Sequence, residues 1–113
     1  MKICVLVKQV PDKDSEINLL SDGLSINTQN LNLITNESDN YAIEEALLLK
    51  EKCEAEVTVC TFGKESAIQV IKDALSKGAD KGIFIENDTN EEFDILTISK
   101  IFTKILSSEN FNL

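Results

Sequence analysis

Asn36, Ser38 and Asp39 form a cluster of cap-type side chains, with Glu37 among them, at the head of the segment NESDNYAIEEALLLKEK, residues 36–52. Asn, Ser and Asp accept the free backbone N–H groups of a helix's first turn. A helix start also presents those N–H groups, with their partial positive charge, to a phosphate or to the polar edge of a nucleotide. Glu44 and Glu45 suggest an acid/base pair, but adjacent helical residues point apart, so they read as a solvated face. Asp12 and Asp14 flank a turn signal and read as turn residues rather than metal ligands. Histidine is absent, which removes Ser–His and Cys–His nucleophilic pairs and most transition-metal sites. Cys4, Cys53 and Cys60 show no CxxC spacing. Two of them lie in apolar strand-like runs, so we expect reduced core residues in a cytoplasmic protein. The chemistry on offer is binding, with no catalytic side chain and no metal site expected.

The elements that must position this cluster follow from hydrophobic spacing. Met1–Gln9, MKICVLVKQ, is an apolar run rich in β-branched residues, as in a strand covered on both faces of a parallel sheet. It ends at the turn signal Val10-Pro11-Asp12. Residues 17–27 predict a hairpin about Ser21-Asp22-Gly23, and Leu31–Thr35 an extended lead into the helix. In that helix Ala42, Ile43, Ala46, Leu47 and Leu49 form the apolar stripe. Glu56–Phe62 predicts a second buried strand. A helix over 65–77 follows, with Ala67, Val70, Ile71, Ala74 and Leu75 inward and Gly78 as its left-handed cap. Lys81–Glu86 predicts a third strand, and Asp94–Ser107 a last helix with Ile95, Ile98, Ile101, Phe102, Ile105 and Leu106 as its apolar set. Asn110–Leu113 reads as the opening of a further strand. Alternation of this kind implies an α/β fold with crossovers onto a parallel sheet, carrying a small N-terminal β-hairpin insertion.

Composition narrows the function classes. The chain has 113 residues, 42% of them hydrophobic, which suits one small domain over 1–113. Twenty acidic against eleven basic residues leave a net charge of −9, the wrong sign for a nucleic-acid surface or anionic lipid. No apolar run reaches membrane-spanning length, and no leader segment is expected.

In an open parallel sheet, ligands bind outside the carboxyl ends of the strands, near a switch in strand order. Those ends are Leu6–Gln9, Thr61–Gly63 and Ile85–Asn87, and Asn36–Asp39 falls beside the first two if its helix crosses over the sheet. Neither a GxxxxGK[ST] loop nor GxGxxG is present, so a P-loop ATPase or a dinucleotide-binding Rossmann domain is not supported.

Four stretches, MKICVLVKQVPD, NESDNYAIEEALLLKEK, EVTVCTFG and IKDALSKGADKGIFI, stand in the order and spacing of electron transfer flavoprotein β subunits, and the chain resembles that family over nearly its whole length. The resemblance implies an adenine-nucleotide-binding, Rossmann-like three-layer sandwich. It implies AMP held by the β subunit, pairing with an α subunit on which FAD mainly rests, and electron flow from acyl-CoA dehydrogenase-type donors to another carrier. Carried over position by position, the AMP contacts are Leu6, then Asn36, Glu37, Ser38 and Asp39, then Phe62. Leu6 and Phe62 would give backbone groups and an apolar wall for adenine, and Asn36 and Asp39 polar contacts.

The chain departs from the family pattern in three places. Asn36-Glu37 stands where Asn-Pro is usual, which relaxes the turn before the helix. Relatives that bifurcate electrons carry a second FAD in the β subunit and open the last helix roughly Ala-Asp-Thr-Leu-Ala-Thr-Ser. Here Phe93-Asp94-Ile95-Leu96-Thr97-Ile98-Ser99 puts isoleucine where both threonines stand, although Asp94 and Ser99 remain. Family chains also run well past the counterpart of Leu113, through a Gly- and Asp-rich phosphate loop and a dehydrogenase-recognition loop. We therefore expect the N-terminal part of a longer nucleotide-binding chain. Three other readings stay open: a bifurcating β subunit with its own FAD, a stand-alone adenine-nucleotide module, and a structural fragment that pairs through a sheet edge.

Overall fold

The computed structural model describes residues 1–12, 18–19, 26–27, 32–89 and 93–113. Three long strands, β1 (Lys2–Val7), β6 (Glu56–Gly63) and β7 (Lys81–Glu86), form a parallel sheet in the order β1-β6-β7. Val5 lies opposite Val59, which lies opposite Gly82, so these three share one face. On that face pack α1 (Glu37–Cys53) and α2 (Ile68–Lys77). Ile43 and Ala46 of α1, and Val70 and Ala74 of α2, close over Ile3, Val5, Val7, Val57 and Val59. Val57 and Val59 are fully buried. This face is the core, and its β-branched residues are the reason the strands form where they do.

The expected α/β alternation is observed. A last helix, α3 (Ile95–Leu106), follows β7. Leu113 then donates to Lys2 O at 3.3 Å and accepts from Cys4 N at 2.8 Å. That is the hydrogen-bond pattern of a parallel bridge about Ile3, on the edge of β1 away from β6. The expected opening of a further strand at 110–113 is thus hydrogen-bonded in place, and strand order reverses at β1. The even-numbered residues of β1 turn to the other face, where Cys4 and Leu6 line a groove with Thr103 and Leu106 of α3 and with Ser107, its C-cap. Helices therefore cover both faces of the sheet.

Several expectations need correction, among them that of three core cysteines, since Cys53 is exposed and Cys4 half-buried. β1 stops at Val7, and Gln9–Pro11 forms a further strand, β2, antiparallel to β5 (Leu33–Thr35), where a turn was expected. Pro11 is tolerated because a two-stranded ribbon leaves one side of every strand without ladder bonds. Leu75 is 40% exposed and Ile95 84% exposed, so neither is inward. Leu75 follows the buried Ala74 and sits at the margin of the stripe that Val70, Ile71 and Ala74 bury, and Ile95 is the first residue of α3. Ala42 is exposed as well, whereas Leu47 and Leu49 pack on the core margin. Residues 65–67 form a 3₁₀ turn that precedes α2. The hairpin expectation survives as β3 (Asn18–Leu19) paired antiparallel with β4 (Ile26–Asn27), and its turn, Ser21-Asp22-Gly23, lies outside the described residues.

Two details anchor the sheet. Gly78 ends α2 at φ 126°, a conformation L side chains rarely adopt, and its N–H donates to Leu75 O. Asp80 then accepts from Lys50 Nζ at 2.7 Å and from Val57 N at 2.9 Å. The Lys50 bond, and after it the Val57 bond, hold its carboxyl below the usual range. At Gly82 α2 comes close to the sheet: a Cβ there would collide with Ile71 Cγ2. Gly82→Ala should therefore cost about 1–3 kcal/mol of unfolding free energy, the usual price of overpacking a core. Urea denaturation followed by circular dichroism measures it, and an unchanged midpoint would mean that α2 does not bear on β7 this closely.

Candidate functional site

The polar cluster is positioned by one residue that sequence reasoning passed over. Lys8, where β1 breaks, donates its N–H to Asp39 Oδ2 at 2.8 Å and accepts from Asn36 N at 2.8 Å. The start of α1 is thereby stitched to the carboxyl end of β1 by both halves of one residue's main chain. Thr35, paired with Gln9, delivers Asn36 to this point. Asn36 is the N-cap by position, and its carbonyl accepts from Asp39 N and Asn40 N. Its side chain makes no capping bond, which corrects the expectation of side-chain capping. Asp39 serves the neighbouring strand instead of its own helix: the Lys8 N–H, left without a ladder partner at the strand break, competes for its carboxylate. Glu37 and Ser38 are exposed.

Leu6 and Phe62 reach the same end of the sheet from the other face. Leu6 lies opposite Cys60, so Phe62, two residues on, is level with Lys8. Leu6 is 46% exposed although Val5 and Val7 on either side are buried. It lines two grooves along the outer edge of β1, one bordered by α3 and one by Ala42, Glu45 and Leu49 of α1. The Phe62 ring packs against Phe93, with centroids 5.8 Å apart, and so belongs to the α3 side. The six residues thus gather at one end of the sheet without forming one surface. Asn36–Asp39 make a polar lip on the α1 side, and Leu6 and Phe62 an apolar wall on the α3 side. Strand order reverses at β1, on its edge away from β6, and Asn36–Asp39 stand at the carboxyl end of that strand; ligands of open α/β sheets bind near such a reversal.

The chemistry of that lip is specific. Glu37 and Asp39 both stand in the first turn of α1. Two carboxylates there offset the attraction of the helix start for a phosphate. What remains on offer is hydrogen-bond acceptors for hydroxyl groups, main-chain groups for a base edge, and an apolar side chain open to a ring. A nucleoside moiety fits these residues better than an anion does. Burial raises the Cys4 thiol, and burial with the Cys4 charge pushes Cys60 up to about 12. No metal-holding group of His, Cys, Asp and Glu occurs among the described residues, and no helix among them is long and apolar enough to cross a membrane.

The stitch at Lys8 can be cut selectively. Asp39→Ala should free the Lys8 amide, speed its hydrogen exchange, and cost about 1–2 kcal/mol of stability. Asp39→Asn keeps a carbonyl acceptor and should lose less. Amide exchange and urea unfolding of both variants read this directly.

Comparison with known proteins identifies the family. Residues 23–113 match the model of the electron transfer flavoprotein domain. The electron transfer flavoprotein subunit beta of Dictyostelium discoideum is 33% identical over 114 residues, covering 100% of this chain and 45% of that protein. Its counterpart in Bradyrhizobium diazoefficiens is 36% identical over 96% of this chain and 43% of its own. The mitochondrial subunit beta of Arabidopsis thaliana is 38% identical over 97% of this chain and 43% of its own. The chain thus spans less than half the length of these relatives. It belongs to the electron transfer flavoprotein family, on the side of the β subunits.

Proposed function

We propose that this chain is the part of an electron transfer flavoprotein β subunit that holds AMP at the carboxyl ends of β1 and β6. It pairs with an FAD-holding α subunit and serves electron transfer from acyl-CoA dehydrogenase-type donors. The observation that supports the placement of the site is the doubly bonded Lys8 main chain, which holds Asn36–Asp39 at the carboxyl end of β1, where strand order reverses. Asn36, Glu37 and Ser38 would meet the polar groups of the nucleoside, and Leu6 and Phe62 would supply the apolar wall. Asp39 would act mainly by holding the lip, since its carboxylate already accepts from Lys8. The flavin supplies the redox chemistry when bound, and the protein's part is to fix position and exclude water. No side chain of this chain is given a proton-transfer or nucleophilic role.

The second-FAD reading is weaker for a reason in α3. Asp94, kept from the bifurcating pattern, caps its own helix by accepting from Thr97 N at 2.7 Å, and Ser99 Oγ donates to Ile95 O. Both polar groups are thus engaged within the helix, and Ile95 and Ile98 stand where two hydroxyls would be needed. We place the protein in a reducing compartment, the cytoplasm, because its three cysteines are free. Mitochondrial describes the Arabidopsis relative.

The test is to co-express the chain with a candidate α subunit, heat-release the bound nucleotides, and identify them by chromatography and absorbance. AMP and FAD in equal amounts are expected. Two FAD and no AMP would replace the proposal with the bifurcating one, and no nucleotide would overturn it.

A further inference from the structure

We infer that Gln9 is the positioning residue of this site, a side-chain strap that sets the gap between its two walls. The inference rests on the nucleotide reading above and names how that site is held. Three segments meet at Gln9. Its main chain follows Lys8 directly and pairs with Thr35, the residue before Asn36. Its side chain crosses to the turn after β6, where Nε2 donates to Ser66 O at 3.1 Å and Oε1 accepts from Ser66 Oγ at 3.0 Å. Ser66 stands in the 3₁₀ turn over Glu65–Ala67, just past Phe62 and Gly63. Ala67 of that turn is buried, and a Cβ placed on Gly63 would come within 3.2 Å of Ala67 Cβ, so the turn is packed down on the strand that carries Phe62. One amide therefore joins the polar lip at Asn36–Asp39 to the segment bearing the apolar wall.

The residue type matters because Ser66 presents an acceptor and a donor together. Only an amide answers both from a single planar group. Glutamate at position 9 would keep the bond from Ser66 Oγ but set a carboxylate oxygen against Ser66 O, two acceptors face to face. Asparagine is one methylene short. None of these substitutions touches the main-chain pairing of β2 with β5, so the ribbon itself survives them. Gln9 has no part in the Lys8 stitch, and its side chain is not counted among the nucleotide contacts. It acts through the separation of the two lips.

The test combines a ligand-free readout with AMP titration of the full 113-residue chain. In ¹⁵N–¹H spectra without ligand, Gln9→Ala should shift the amides of Gly63–Ala67 and of Asn36–Asn40 together. Ser66→Ala should reach the Asn36–Asn40 amides across the same bridge. On titration, Gln9→Ala and Gln9→Glu should each weaken AMP binding about tenfold, as coupled neighbours do. Ser66→Ala should weaken it less, because Ser66 O remains, and the Gln9→Ala/Ser66→Ala double variant should be no weaker than Gln9→Ala alone. Additive losses, or unmoved Asn36–Asn40 amides, would overturn the inference. So would a lowered melting temperature with unchanged AMP affinity, which is the signature of a merely structural bond. A parent chain that binds no AMP sinks the nucleotide reading instead, and the strap then stands or falls on the amide shifts alone.

Discussion

The architecture at the functional end turns on the main chain of Lys8. A strand that breaks must do something with the N–H and C=O groups its ladder no longer uses. Here the N–H goes to the Asp39 carboxylate and the C=O to the Asn36 amide. That pairing decides where α1 begins, how close its first turn stands to the sheet, and which polar groups overhang the crevice. It also sets the entry angle of α1, from which Ile43 and Ala46 reach Ile3, Val5 and Val57. A helix start docked only by its apolar stripe could slide along the sheet, whereas two hydrogen bonds to one residue remove that freedom.

The sheet is uneven about this point. The face under α1 and α2 is closely filled with small and β-branched residues, tight enough that Gly82 has no room for a methyl group beside Ile71. The face under α3 is looser: no residue of that helix is fully buried, and grooves run beside Leu6. One face of the sheet thus fixes the start of α1, and the other leaves Leu6 accessible beside α3. Within the closed face, Thr61 Oγ1 is buried without a hydrogen-bond partner. We have no physical account of it.

Much of this was legible from spacing. The three long strands, the helices and the cap role of Gly78 follow from apolar period and residue type, because burial on one face and backbone conformation are local demands. What was not legible depended on partners far apart in sequence. Pro11 reads as a turn until Leu33 is known to pair with it. Asp39 reads as a cap because nothing local shows that Lys8 will compete for its carboxylate. Gln9 and Ser66 are 57 residues apart and carry no shared motif. The six candidate residues were correctly brought to one end of the sheet, but their division into an α1 side and an α3 side required the register of Leu6 against Cys60. The charge of the lip was visible throughout: Glu37 and Asp39 in one helical turn offset part of the attraction a helix start has for a phosphate.

The most direct test of the central claim is a map of amide shifts as AMP is titrated into the isotopically labelled chain. If the carboxyl end of β1 beside the Lys8 stitch is the binding site, the largest shifts fall at Leu6–Gln9, Asn36–Asn40 and Phe62–Ser66. Shifts centred on Thr103–Leu113, or on the outer face of α1 about Tyr41 and Leu48, would contradict the account and move the site elsewhere.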